Sequence, residues 1–173
     1  MNKFPRAYHF CNYYLSHIQH GIQTAHCQTQ FFKKYGNIKF VTNNLKRAKN
    51  YLYEWLDNPT TICLNGGNNQ ELKNILEDLE KFESFYPMAS FHEDDESLGG
   101  LLTNVGIIVP YKIWGAYDEL MRDSNKKFFV NMYLLREDNK WVNERISEFE
   151  KNYGNISYED ARLIDSLRSF KLA

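Results

Sequence analysis

The run "VGIIVP", Val105 to Pro110, constrains the fold more than any other stretch of this chain. An uncharged, mainly β-branched segment reads as a strand covered on both faces. Pro110 stops it, because proline has no N–H to offer a ladder. Such a strand sits in the middle of a sheet and needs helices packed against it.

The rest of the chain supplies them. Arg6 to Asn12 alternates in size and polarity and reads as a first strand. Ser16 is placed to cap the helix that follows. Ile18, Ile22, Ala25, Thr29 and Phe32 fall at helical spacing as its buried stripe, and Gly36 suits a left-handed helix end. A second helix, Leu45 to Leu56, turns Leu45, Ala48, Leu52, Trp55 and Leu56 inward and stops at Asn58-Pro59. Thr60 to Leu64 reads as a buried strand, and Asn65 to Asn69 as a turn in which Asn69 caps a third helix. That helix runs from Gln70 to about Phe82 on Leu72, Ile75, Leu76 and Leu79. Met88 to Phe91 is a strand, and His92 to Gly100 an acidic loop closed by Gly99 and Gly100. Tyr111 to Met121 is a fourth helix. This order implies an α/β fold, a mixed four- or five-stranded sheet flanked by helices.

Residues 1–122 form that core, and 123–173 read as a mainly helical extension packed on the same domain, since no linker composition separates them. Within the extension Phe128 to Leu135 is open between strand and helix, and Lys140 to Tyr153 is helical. Ser157 to Asp160 resembles a capping box, opening a terminal helix with Ala161, Ile164, Leu167 and Phe170 on one side.

A formal charge of −1 argues against broad electrostatic capture of nucleic acid. Cys11, Cys27 and Cys63 lie in apolar segments without metal-ligand spacing and read as buried free thiols in a reducing compartment. The start "MNKFPRAYHFCNYY" has no apolar signal core, and no apolar run spans a bilayer, so a soluble, cytoplasmic protein is expected. Trp55, Trp114 and Trp141 read as core or interface anchors.

The first helix concentrates the chemistry. His17 and His20 share a face but lack a third ligand at fixed spacing, so no metal and no cofactor is assigned. His26 is either a core-edge imidazole or an acid–base group that titrates near neutrality. Gln19 and His20 lie in the first turn, where free N–H groups favour anions. Asp94 and Asp95 are either a solvated acidic loop or cleft carboxylates, and Gly66-Gly67 either a plain turn or a phosphate cradle.

The segment "GIQTAHC", Gly21 to Cys27, resembles the Q-x-A-H part of the K-x-A-A-Q-x-A-H helix start in the type-2 (archaeal and eukaryotic) peptidyl-tRNA hydrolases, with Gln23, Ala25 and His26 at the matching positions. The element order is similar too: "TTICLNGG", a helix, "MASFHEDD", a glycine-containing loop, then "LTNVGIIVP". The resemblance covers about Arg6 to Met121. It implies a peptidyl-tRNA-hydrolase-2-like core whose cleft handles the ester between peptide and tRNA. The chain departs from the family in two places. Gln19 stands near the family's lysine, and "EDDESLGG" replaces the D-A-G-x-T loop, so that Asp94 or Asp95 stands for its aspartate.

Ligands of such sheets bind outside the carboxyl ends of the strands. The expected constellation there is His26, His20, Asp94 and Asp95 as catalytic groups, with Asn12, Gln19, Gln23, Gly99 and Gly100 on the substrate. The first functional reading is hydrolysis of an ester or phosphoester in an RNA- or nucleotide-linked substrate. The alternatives are a non-catalytic module that holds a nucleotide or small anion, and an interaction scaffold or homodimer built on the extension. With a charge of −1 and no lysine at the helix start, bulk tRNA binding is expected to be weak, with Kd no tighter than about 1 μM at physiological salt in a filter-binding titration. Submicromolar capture of uncharged tRNA would show a basic patch that the sequence pattern hides.

Overall fold

The computed structural model describes residues 3–36, 42–122 and 140–168, in two compact units divided between Val109 and Pro110. In the first unit the elements run β1 (Arg6–Cys11), α1 (His17–Phe31), a π-helical turn (Phe32–Gly36), α2 (Asn43–Asp57), β2 (Thr60–Asn65), α3 (Asn69–Glu80), β3 (Met88–His92), α4 (Asp95–Leu98) and β4 (Leu102–Val109). The strands form one open mixed sheet of order β2-β1-β4-β3. β1 pairs parallel with β2 and antiparallel with β4, and β3 pairs antiparallel with β4. β4 therefore runs against the other three strands, and the carboxyl ends of β1, β2 and β3 share one edge of the sheet. Every residue of β4 is buried, as a central strand requires.

Connection handedness places the helices. Parallel crossovers are right-handed. The step from β1 to β2 and the return step from β2 across to β3 run in opposite directions, so α1 and α2 cover one face and α3 the other. On the first face Ala7, Ala89 and Ile108 pack with Cys27, Phe31, Tyr35, Ala48, Leu52 and Trp55. Tyr8, Phe10, Val105 and Ile107 alternate onto the second face, where α3 brings Leu72, Ile75 and Leu79.

Several expectations are corrected. The stripe Ile18, Ile22, Ala25, Thr29 and Phe32 faces outward: Ile18 is 78% exposed and Ile22 47%. The buried side of α1 is Gln23, Thr24, Cys27 and Phe31. Gly36 does not take a left-handed end, because the helix widens into the π-helical turn instead. β2 is an edge strand with Thr60 and Thr61 exposed, so its β-branched run does not mark burial. Asn68, not Asn69, caps α3, in a box closed by Glu71.

In the second unit α5 (Tyr111–Arg122) packs with α6 (Lys140–Tyr153) and α7 (Tyr158–Leu167). Ile113, Trp114, Val142, Ile146, Ala161, Ile164 and Leu167 are buried, while Trp141 is exposed. Ser157 and Asp160 form the expected capping box. The fully buried Asp160 carboxylate also pairs with Lys112. Phe128 to Leu135 and Phe170 lie outside the described residues. No helix among the described residues is long and apolar enough to cross a membrane.

One close approach in the sheet depends on a missing side chain. A Cβ on Gly106 would lie 2.7 Å from His9 Cε1 and 2.9 Å from Phe31 Cζ. Both rings are fully buried and neither has room to retreat. Gly106→Ala is expected to lower stability by about 1–3 kcal/mol, read from the urea midpoint. An unchanged midpoint would show that the rings can move aside.

Candidate functional site

Because β1, β2 and β3 end at one edge, and α1 starts directly after β1, the first turns of α1 lie over that edge. Ser16 and Gln19 close a capping box there: Ser16 N–H donates to Gln19 Oε1 at 2.9 Å and Gln19 N–H to Ser16 Oγ at 3.3 Å. The side of α1 turned to the sheet is polar at its start and apolar at its end. His20 Nε2–H donates to the Asn12 carbonyl at 2.9 Å, since a carbonyl can only accept. Gln23 is 6% exposed, and its amide NH2 donates to Glu93 while its Oε1 accepts from Thr103 Oγ1 at 3.3 Å. The Thr103 carbonyl accepts from Asn12 N–H at 3.2 Å. Asn12, His20, Gln23, Glu93 and Thr103 are thus one connected network.

Asn12 is the unusual member. It is 1% exposed, and its Oδ1 accepts from Tyr14 N–H at 3.1 Å, which fixes the amide's orientation. Its Nδ2 is buried and has no hydrogen-bond partner among the described residues. An unpaired buried donor costs about 1–3 kcal/mol.

The network joins three of the residues expected at the site, Asn12, His20 and Gln23. The others lie around it. Gln19 is exposed and occupied in the cap. His26 is exposed on α1, with its ring edge-on to Phe91 at 4.7 Å between centroids. Phe91 leads through His92 and Glu93 into Asp94 and Asp95, both exposed, at the start of the single turn α4. Gly99 and Gly100, with φ of 60° and 68°, let the chain reverse after α4. A Cβ on Gly100 would meet the Asp95 carboxylate at 2.8 Å. Gly66-Gly67 is a strand-to-helix turn, with the Glu71 carboxylate lying where a Cβ on Gly67 would point. His17 is exposed, edge-on to His20. Among the described residues no group of three or more His, Cys, Asp or Glu could hold a metal ion.

A second network lies deeper under α1, and its residues did not stand out in the sequence. His9 Nδ1 is 2.8 Å from Asn104 Oδ1. The Asn104 NH2 donates to Cys11 Sγ and to Thr24 Oγ1, each at 3.2 Å. With its nitrogen committed to these acceptors, Asn104 presents its oxygen to His9, so His9 carries its proton on Nδ1. Complete burial lowers the His9 pKa to about 4, against the smaller upward pull of the Asn104 bond. The ring is therefore neutral, with a bare buried Nε2. Burial also pushes the Cys27 thiol up to about 12. The only available hint was period-two alternation, which puts Ala7, His9 and Cys11 on one face of β1. Glu93, Thr103 and Asn104 carried no local signal.

The His9 pKa makes a pH prediction with a definite sign. Unfolded His9 binds a proton below about pH 6.5 and folded His9 only below about pH 4. Its stabilisation is present above pH 6.5 and is lost as pH falls through that window. Between pH 7 and pH 4.5 this site alone should cost about 2–3 kcal/mol. His9→Gln keeps a donor for Asn104 and should lack this loss. Urea unfolding of both proteins at the two pH values measures the difference, and parallel losses would count against a neutral buried His9.

Comparison with known proteins gives no match to a family model, a curated protein or a solved structure.

Proposed function

We propose that the chain is a divergent relative of the type-2 peptidyl-tRNA hydrolases that hydrolyses an ester or phosphoester of an RNA- or nucleotide-linked substrate at the carboxyl edge of its sheet. The observation that carries this reading is the buried Asn12 Nδ2, a fixed donor without a partner among the described residues, beside the matched Gln23. The order of strands and helices from β1 to β4 supports it as well. Asn12 Nδ2–H would stabilise the oxyanion that forms as water adds to the ester carbon. Glu93, held by Gln23, would take the proton from that water. His20 positions Asn12 through its carbonyl. His26, Asp94 and Asp95 stand on the exposed rim as groups for the leaving side of the substrate.

A second reading, capture of a nucleotide or small anion without turnover, is favoured by one observation. His26, expected as an acid–base group, stands exposed against Phe91 and outside the Asn12–His20–Gln23 network. Release of the N-blocked amino acid from an N-acetyl-aminoacyl-tRNA decides between the two. The hydrolase reading expects turnover above the buffer rate, with Glu93→Gln lowering kcat/KM about 100-fold or more. No turnover, with saturable nucleotide binding in calorimetry, would replace it with the second reading.

A further inference from the structure

The turn between β1 and α1 carries two exposed rings that take no part in the core. Tyr14 is 73% exposed and Tyr13 48%. Single exposed rings are ordinary on a protein surface. These two lie against each other, with centroids 3.9 Å apart and planes 34° from parallel. Their backbone is pinned. Tyr13 N–H donates to the Gly67 carbonyl at 3.0 Å, Tyr14 N–H to Asn12 Oδ1 at 3.1 Å, and Leu15 N–H to the Asn12 carbonyl at 3.2 Å. The pair therefore stands on a turn that is ordered before any ligand arrives, and each tyrosine has only two side-chain torsions left to fix.

The residue that holds this turn, Asn12, also carries the buried Nδ2 without a partner among the described residues. The two rings follow it directly in the chain. In a nucleotide-linked ester, one ribose separates the base from the ester. An ester held at Asn12 thus brings its base to the surface beside it. That surface has little to offer a phosphate, because the chain from Ala7 to Phe32 holds no Lys, Arg, Asp or Glu. What it offers is ring faces, on which any base can stack.

We propose that Tyr13 and Tyr14 form a stacking platform for an unpaired nucleobase, the base of the nucleotide whose ester lies at Asn12. This rests on the reading of the site as one for a nucleotide-linked substrate, and it narrows that substrate to a single-stranded end or loop. Inside a duplex both faces of a base are covered, so only an unstacked base has a face to give.

The test titrates the whole chain with single-stranded hexaadenylate RNA by calorimetry. Tyr14→Ala should weaken binding about 5- to 100-fold. Tyr14→Phe keeps the ring and should stay within about twofold, whereas Tyr14→Leu keeps apolar bulk without a ring and should lose as much as Tyr14→Ala. An abasic strand of the same length and charge should not bind. Raising salt from about 50 to about 200 mM should weaken hexaadenylate less than about threefold, the loss expected of one phosphate contact. Tyr14 is outside the core, so the urea midpoint of each variant should match that of the parent chain. The proposal is overturned if hexaadenylate does not bind, if Tyr14→Ala loses less than about fivefold, if Tyr14→Leu binds as Tyr14→Phe does, or if the abasic strand binds equally well. A dimer that Tyr14→Ala dissociates, with no hexaadenylate bound, would assign the rings to self-association instead. Release from N-acetyl-aminoacyl-tRNA separates this outcome from that of the hydrolase reading. Turnover without Tyr14-dependent binding removes the platform alone, and Tyr14-dependent binding without turnover removes hydrolysis alone.

Discussion

The first turns of α1 lie with a polar side on a buried sheet, and each polar group along that contact needs a hydrogen-bond partner. A buried donor or acceptor left alone costs about as much as a sizeable part of a domain's net stability. That requirement orders the surrounding structure. The Asn104 amide must serve His9 on one side and Cys11 and Thr24 on the other, so its orientation is fixed. Gln23 must reach both Glu93 and Thr103, which ties α1 to the end of β3 and the start of β4. His20 must reach the Asn12 carbonyl, which ties α1 to the end of β1.

Within this layer two atoms among the described residues escape the rule. Asn12 Nδ2 and His9 Nε2 are buried without a partner. Both side chains have their other polar atom bonded, so neither can rotate away to find water. The Asn12 donor sits at the edge where ligands of parallel strands bind. The His9 atom sits in the interior, beside Phe31 and Gly106, where no ring can be enlarged. One orphan lies at the carboxyl edge of the sheet, and the other is the consequence of keeping an imidazole neutral in a tight core.

Much of the fold was legible because its elements carry strong local signals. The apolar run at Val105 to Val109 is a central strand, α3 buries Leu72, Ile75 and Leu79, and Ser16 and Ser157 cap the helices expected of them. α1 was misread because period alone cannot tell which side of a helix is covered. Its apolar residues Ile18 and Ile22 form a stripe at the right spacing, yet the sheet below them offers Cys11, Thr103 and Asn104, which a polar face satisfies better. β2 was misread for a related reason. β-Branched residues favour any strand, so "TTICL" announces a strand without announcing whether it lies at the centre or the edge.

The sequence by itself determined the α/β class, the order of elements through β4 and the low net charge. Each of these is a local or compositional property, written in neighbouring residues. Only the tertiary structure decided that Asn12, Glu93 and Thr103 meet, that His26 stands outside against Phe91, and that His9, Cys11, Thr24 and Asn104 join under α1. Those contacts join residues far apart in the chain. They exist because β1 lies between a parallel and an antiparallel neighbour, which brings β2, β4 and α1 around one strand. Strand pairing is a non-local choice that no window of sequence records.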